Sequence, residues 1–403
     1  MSNKLDVLIW GHSDQAGGTE MACVIATGFL RRLGPAISCG IITYNPPFAR
    51  NFFKSQGGLS RGIEIIGTAP LLELGKDEET QQVSKTKTLE VIKNRFSGDR
   101  PERLLRDFIR KVEDRKHEKT LMISCGEPFA VQVARELGIK VIIITDHFVT
   151  KSVEDILSMP GESEIDEFTE SEAREILGKL IQYESSPSSP DNTVILSPTE
   201  FGGESYPEWA HRRLHWSQCL EMGGLLYDPI PIHELERAPH YNDLLDLTQT
   251  KKTPLVIVFG GGGTVWDEIY KKLHDEYRLK IDNCDLKFAL IVRDGWCPTG
   301  YRWETIRGYF RLFTPESPQG TRLYDPGKMM YWYALCSLMV GRGGLASQQV
   351  LATMLSERRE HCPFMLFVEE PHHPQIKWQR KKLSSLGFVA PCTLNAFINN
   401  PVE

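Results

Sequence analysis

Glycines close the apolar runs of this chain. "DVLIWG", "IEIIG", "PLVIVFGGGG", "LKFALIVRDG" and "SLMVGRGG" each carry a few Val-, Ile- or Leu-rich residues into a glycine, and amphipathic stretches separate them. The runs are short and show little polar–apolar alternation, the pattern of strands buried on both faces of a parallel sheet. Parallel neighbours cannot be joined by a tight hairpin, so each needs a crossover, usually a helix. That restricts the chain to doubly wound α/β architecture.

Two such series follow one another within 403 residues, enough for two domains of ordinary size. The expected fold is α/β, with two doubly wound Rossmann-like domains facing a cleft. The first spans 1–230 and the second 253–390, joined by the polar linker 231–252, with 391–403 as a C-terminal tail. Residues 151–192 turn acidic and then Ser- and Pro-rich, and are read as a solvated helical insertion with a flexible tail.

Composition excludes several classes. A net charge of -6 without a dense basic stripe gives no nucleic-acid partner. The start, "MSNKLDVLIWG", lacks the pattern of a secretory signal, and no apolar run spans a bilayer, so a cytoplasmic protein is expected. Peripheral membrane contact remains compatible with this. The nine cysteines are scattered, with no C-x-x-C pair, and read as reduced thiols rather than disulfides or a zinc site.

Ligands of open parallel sheets bind beyond the carboxyl ends of the strands. Three glycine-bearing ends qualify. In "WGHSDQAGGTEMA", Gly17, Gly18 and Thr19 form a loop before a helix, with Glu20, His12 and Asp14 close in sequence. A tight turn with Thr19 as a helix cap is at least as good a reading there. In "IVFGGGGTVWDEI", the run from Gly260 to Gly263 exceeds what a turn needs, and its bare N–H groups suit a phosphate. No G-K-[ST] follows, so it is not a Walker A loop. In "VGRGGLASQQVL", Gly343 and Gly344 meet a helix start, Arg342 adds a cation, and Ser347 and Gln349 add polar side chains. Together these offer what a diphosphate and a ribose require. His372 and His373 adjoin each other without a third ligand at metal-site spacing, and no D-x-D frame occurs, so no metal is expected.

The order of these segments resembles the donor-binding half of GT-B glycosyltransferases, over roughly Pro254 to Gly387. The likeness is to the group of the peptidoglycan GlcNAc transferase and the macrolide and other natural-product glycosyltransferases. It implies a metal-independent transfer of a hexose-type sugar from a UDP- or dTDP-sugar, with no cofactor beyond that co-substrate. It also implies a small-molecule or lipid-linked acceptor. Under it, Gly261, Gly262, Gly263, Thr264, Arg293, Arg342, Gly343, Gly344, Ser347, Gln349 and Gln375 hold the donor. "GGTEMACVIATGFLRRLG" resembles the acceptor-domain glycine loop and first helix.

Two positions depart from the family. Thr19 stands where many inverting members carry a histidine base, which passes that role to Glu20, His12, Asp146 or His147, and leaves inverting and retaining outcomes both open. Val350 stands where a ribose-binding glutamate is common, with Gln349 beside it. A sugar-nucleotide hydrolase or epimerase, or a non-catalytic sugar-nucleotide or glycan binder, remains as an alternative.

Overall fold

A computed structural model describes residues 4–11, 15–34, 36–55, 62–69, 75, 84–96, 98–145, 148–158, 167–189, 191–196, 200–201, 204–221, 254–260, 266–281, 286–293, 295–302, 310–323, 336–342, 364–369 and 389–399. The chain divides into two compact units, built mainly on Met1–Ala49 with Gln56–Gly223 and on Gly224–Pro371 with Gln379–Glu403. The linker expected at 231–252 lies outside the described residues.

The first unit carries a seven-stranded, all-parallel sheet. Its strands are β1 (Val7–Trp10), β2 (Cys39–Thr43), β3 (Ile63–Thr68), β4 (Leu121–Ser124), β5 (Lys140–Thr145), β6 (Thr193–Leu196) and β7 (Cys219–Glu221). Their spatial order is β3-β2-β1-β4-β5-β6-β7. Every residue of β1 and β2 is buried, as strands covered on both faces must be. Between the strands run α1 (Gln15–Leu33), α2 (Pro46–Ser55), α3 (Lys85–Phe96), α4 (Arg100–Glu113), α5 (Pro128–Leu137), α6 (Val149–Ser158), α7 (Glu167–Glu184) and α8 (Tyr206–Leu214). The strand order reverses at β1, whose neighbours are β2 and β4, which marks the switch point of a doubly wound sheet.

Of the segment read as a solvated helical insertion with a flexible tail, 151–192, the described helices α6 and α7 contribute to this core. Helix α7 buries Ala173, Ile176, Leu177 and Leu180, a stripe at spacings of three and four, and packs beside α3, α5 and α6. Glu175 is exposed on the other face, and the helix's glutamates are why composition disguised it. The Ser-Pro stretch after it is also tied down: Ser186 N–H donates to the Leu214 carbonyl at 2.8 Å, and Asn192 Oδ1 accepts from Val141 N–H at 2.9 Å.

The second unit's main path runs β11-β10-β9-β8-β12-β13-β14, with the two-residue strand Lys280–Ile281 added against β9. Here β8 is Leu255–Phe259, β9 Leu286–Arg293, β10 Phe310–Thr314, β11 Ser317–Leu323, β12 Leu338–Gly341, β13 Phe364–Glu369 and β14 Val389–Thr393. Strands β9, β8, β12, β13 and β14 are parallel, while β10 and β11 pair antiparallel at one edge. Helix α9 (Asp267–Lys271) continues into a π-helical turn, Lys272–Glu276, and α10 is Leu394–Asn399. The tail expected from 391 onward therefore corrects to an edge strand and a helix: Pro391 pairs with Phe367, and Phe397 is buried. Proline is tolerated at a sheet edge because its missing N–H would face outward.

Both units hold cores dominated by aliphatic and aromatic side chains. The described cysteines are free, with Cys23, Cys39, Cys125 and Cys336 buried. Burial pushes the Cys125 thiol up to about 12. No helix among the described residues is long and apolar enough to cross a membrane.

A buried ion pair sits at the carboxyl end of β4. Arg95 Nη2 lies 3.3 Å from Glu127 Oε1, with side chains 6% and 1% exposed, and the guanidinium packs over the Phe96 and Phe129 rings. Glu127 also caps α5 by accepting from Phe129 N–H. Removing one partner strands the other charge, which costs about 3–5 kcal/mol. Glu127→Ala is therefore expected to lower unfolding stability by that order in urea titrations, while replacing both partners costs less than twice as much.

At the opposite end of β1, Asp6 Oδ2 accepts from Ser38 N–H at 2.8 Å and Ser38 Oγ at 2.9 Å. The Ser38 N–H holds the carboxyl below its usual value of 3.8, against a smaller opposing effect of burial. A lowered folded-state value stabilises fully above the unfolded value and is lost as pH falls through the folded one. Asp6→Asn is expected to flatten the acid-side decline in stability below about pH 4. Parallel pH curves for the two proteins would contradict this.

Candidate functional site

The carboxyl ends of both parallel sheets are built by close approach. A Cβ on Gly11, just past β1, would lie 2.8 Å from the Gly18 carbonyl oxygen and 3.3 Å from Ala22 Cβ. Glycine is needed there because the first turns of α1 press onto the strand end.

This corrects the reading of the first glycine pair. Gly17, Gly18 and Thr19 belong to α1, which begins at Gln15, and are not a loop before it. Nor is Thr19 an N-cap: it is fully buried, and its hydroxyl bonds Thr43 Oγ1 at the end of β2. Glu20 follows in the helix, half-buried, and its charge helps raise the Cys23 thiol, though burial is the larger cause. The other base candidates, His12, Asp146 and His147, lie outside the described residues.

In the second unit, β8 lies between β9 and β12, so three parallel strand ends stand side by side. Phe259 pairs with Gly341 and Val258 with Leu290. In that register Gly260 leaves β8 beside Arg342, and Arg293 ends β9 on the other side. Gly260 has no room for a side chain, since a Cβ would lie 2.1 Å from the Trp266 ring. Its N–H donates to Tyr270 Oη at 2.8 Å. Tyr270 is fully buried, and burial drives its hydroxyl pKa well up. The Gly260 N–H and the charges of Arg293 and Arg342 oppose that rise, but burial outweighs them.

Arg293 is also committed to a neighbour. Its Nη2 donates to Asp267 Oδ2 at 2.6 Å, at the start of α9, and Trp296 Nε1 donates to the Asp267 carbonyl at 3.3 Å. Tyr270, Trp296 and Phe313 stack edge to face beneath this pair. Sequence reasoning did not single out Tyr270, Asp267 or Trp296. A tyrosine ten residues after the first glycine of a run carries no sign that its hydroxyl will reach back to it. The remaining donor-side expectations, Gly261, Gly262, Gly263, Thr264, Gly343, Gly344, Ser347, Gln349 and Gln375, lie outside the described residues.

A groove of about 460 Å³ lies at the amino ends of β4, β5 and β6 in the first unit, lined by Lys119, Arg135, Lys140, Ser189 and Asn192 among others. Its polar groups are largely spent on the fold: Arg135 donates to the Gln182 and Ser185 carbonyls, and Asn192 to those of Pro187 and Ser189. Among the described residues no three His, Cys, Asp or Glu side chains group as a metal site.

Two doubly wound α/β units are the GT-B fold class that the sequence leads one to expect. No protein-family model matches the chain, and no curated protein matches it. Among solved structures, UGT89C1 of Arabidopsis thaliana complexed with UDP-L-rhamnose is similar, with 13% identity and a TM-score of 0.51, over 97% of this chain and 86% of that one. The spinosyn rhamnosyltransferase SpnG complexed with thymidine diphosphate is 11% identical with a TM-score of 0.51, over 97% of this chain and 87% of that one. At these identities the likeness is one of fold.

Tyr270→Phe leaves the Gly260 N–H buried without its acceptor, at a cost of about 1–3 kcal/mol. The expected result is that loss of unfolding stability, with the second unit otherwise intact by circular dichroism. An unchanged stability would show that the hydroxyl holds nothing in place.

Proposed function

We propose that this protein transfers a sugar from a nucleoside diphosphate donor, a UDP- or dTDP-sugar, to a small-molecule or lipid-linked acceptor. The observation that carries the reading is the pair of arginines at the carboxyl ends of the strands flanking β8: Arg293 closes β9, and Arg342 follows the last residue of β12. A departing diphosphate gains negative charge as its glycosidic bond breaks, and fixed donors aimed at that charge stabilise the transition state. In this reading Gly261, Gly262, Gly263, Gly343 and Gly344 supply N–H groups to the diphosphate, and Thr264, Ser347, Gln349 and Gln375 supply polar contacts to ribose and sugar. Arginine and backbone donors meet the phosphate charge, so no divalent ion is needed in this reading.

The acceptor must lose a proton as it attacks. Glu20, His12, Asp146 and His147 are the candidates for the base. The fold supports the reading because structures of the same class are described with UDP-L-rhamnose and thymidine diphosphate bound.

The test is binding before turnover. UDP or dTDP at 100-fold excess over Kd adds about 2.7 kcal/mol to the folded state, readable as a thermal shift. Arg342→Ala is expected to weaken nucleotide binding by about tenfold to a hundredfold, the loss of a charge-assisted hydrogen bond of about 1.5–3 kcal/mol. Absence of any shift with either nucleotide overturns the donor site. An unchanged affinity in Arg342→Ala makes that cation structural.

A further inference from the structure

An arginine that only holds a fold together spends its donors on that fold. Arg135 in the first unit does so: Nη1 donates to Gln132 Oε1 at 2.6 Å and to the Gln182 carbonyl at 3.0 Å, and Nη2 to the Ser185 carbonyl at 2.6 Å. Arg293 in the second unit is used differently. A guanidinium carries five N–H donors and pairs with carboxylates in a two-pronged fork where it can. Arg293 instead spends Nη2 on Asp267 Oδ2 at 2.6 Å, and its Nε is buried with no partner among the described residues. The side chain is nonetheless 25% exposed, and that of Asp267 34%.

A single contact between partly exposed charges adds little to stability. It does remove the rotamer freedom of a long side chain before any ligand arrives. The anchor is suited to that task. Asp267 follows the fully buried Trp266, and its carbonyl accepts from Trp296 Nε1 at 3.3 Å. Trp296 packs edge to face against Tyr270 and Phe313, both fully buried. Asp267 is thereby tied to the core of the second unit, and Arg293 is tied to Asp267. Arg293 closes β9 beside β8, at the carboxyl ends where parallel sheets receive ligands.

We propose that Asp267 is a positioning residue for Arg293, holding one N–H of the guanidinium so that the others meet the diphosphate of the nucleotide-sugar donor. This rests on the sugar-transfer reading. It also predicts an effect of unusual sign. A carboxylate close to an anion site repels the anion, so by charge alone its removal tightens binding. As a positioning residue, its removal weakens binding.

The test is isothermal titration of UDP and dTDP into the full-length parent, Arg293→Gln, Asp267→Asn and the double variant, with urea unfolding of each. Arg293→Gln is expected to weaken binding by about tenfold or more, the loss of charge-assisted contacts. Asp267→Asn is expected to weaken it by about threefold or more. The double variant is expected to lie within about twofold of Arg293→Gln, because Asp267 acts only through the arginine. A merely structural pair moves the unfolding midpoints and leaves these affinities where they were. Unchanged or tighter binding by Asp267→Asn overturns the proposal, as do unchanged binding by Arg293→Gln and losses that add in the double variant. If Asp267→Asn does not fold, Arg293→Lys keeps the charge without the guanidinium fork. Its affinity is then expected to fall by about fivefold or more, and parent-like binding overturns the proposal. A parent that binds neither nucleotide defeats the donor reading and this assignment together. Binding that is weakened by Arg342→Ala but by neither change at Arg293 nor Asp267 leaves the donor reading standing and defeats this assignment alone.

Discussion

A parallel sheet covered on both faces forces every connection to cross over and every carboxyl end to open along one edge. Most of this molecule follows from that. It accounts for the fully buried Val-, Ile- and Leu-rich strands, for the helices between them, and for glycine where a following element presses back onto a strand end. Gly11 has the backbone of α1 against it, and Gly260 has the Trp266 ring. At either position even alanine meets atoms already in place. The glycines are first a packing requirement, and the bare backbone they leave is what a ligand can then use.

Sequence legibility tracked how strongly burial dictates composition. β1, β5, β8, β9 and β12 were readable because nothing but apolar residues fits their positions. α7 was not, since its glutamates outweigh in composition the four apolar residues that make it part of the core. β11, "SPQGTRL", hides behind a proline and a glycine, and Gly320 sits at φ 75° with Phe313 packed against it. β14 hides in the same way behind Pro391. Edge strands need only one paired side, so their sequences carry weaker signals. Of the candidate site, the strand-end arginines could be read directly. Tyr270 and Glu184 could not, because their roles depend on which backbone N–H groups the fold brings to them.

Those two residues show one device used in both units. A buried side chain accepts from the main chain just past a strand end, Tyr270 at Gly260 and Glu184 at Val149 and Thr150. An unpaired buried N–H costs about 1–3 kcal/mol, so losing either contact destabilises its unit by that order. In the first unit the acceptor is a full carboxylate reaching two donors. In the second it is a neutral hydroxyl, and the full charges nearby are the two arginines.

The difference in charge has a chemical consequence. A carboxylate at Gly260 would offset the charges of Arg293 and Arg342 and repel an incoming anion, whereas a phenol with its pKa driven upward by burial stays uncharged and adds no negative charge near them. Asp267 takes one contact from Arg293 at 2.6 Å and orients that guanidinium against the start of α9. Tyr270 also occupies the first N–H of the glycine run, so any anion cradle in the second unit begins after Gly260. At Gly260 the Trp266 ring leaves no room for a side chain and the Tyr270 hydroxyl takes the N–H, which ties the end of β8 to α9 and the residue before it.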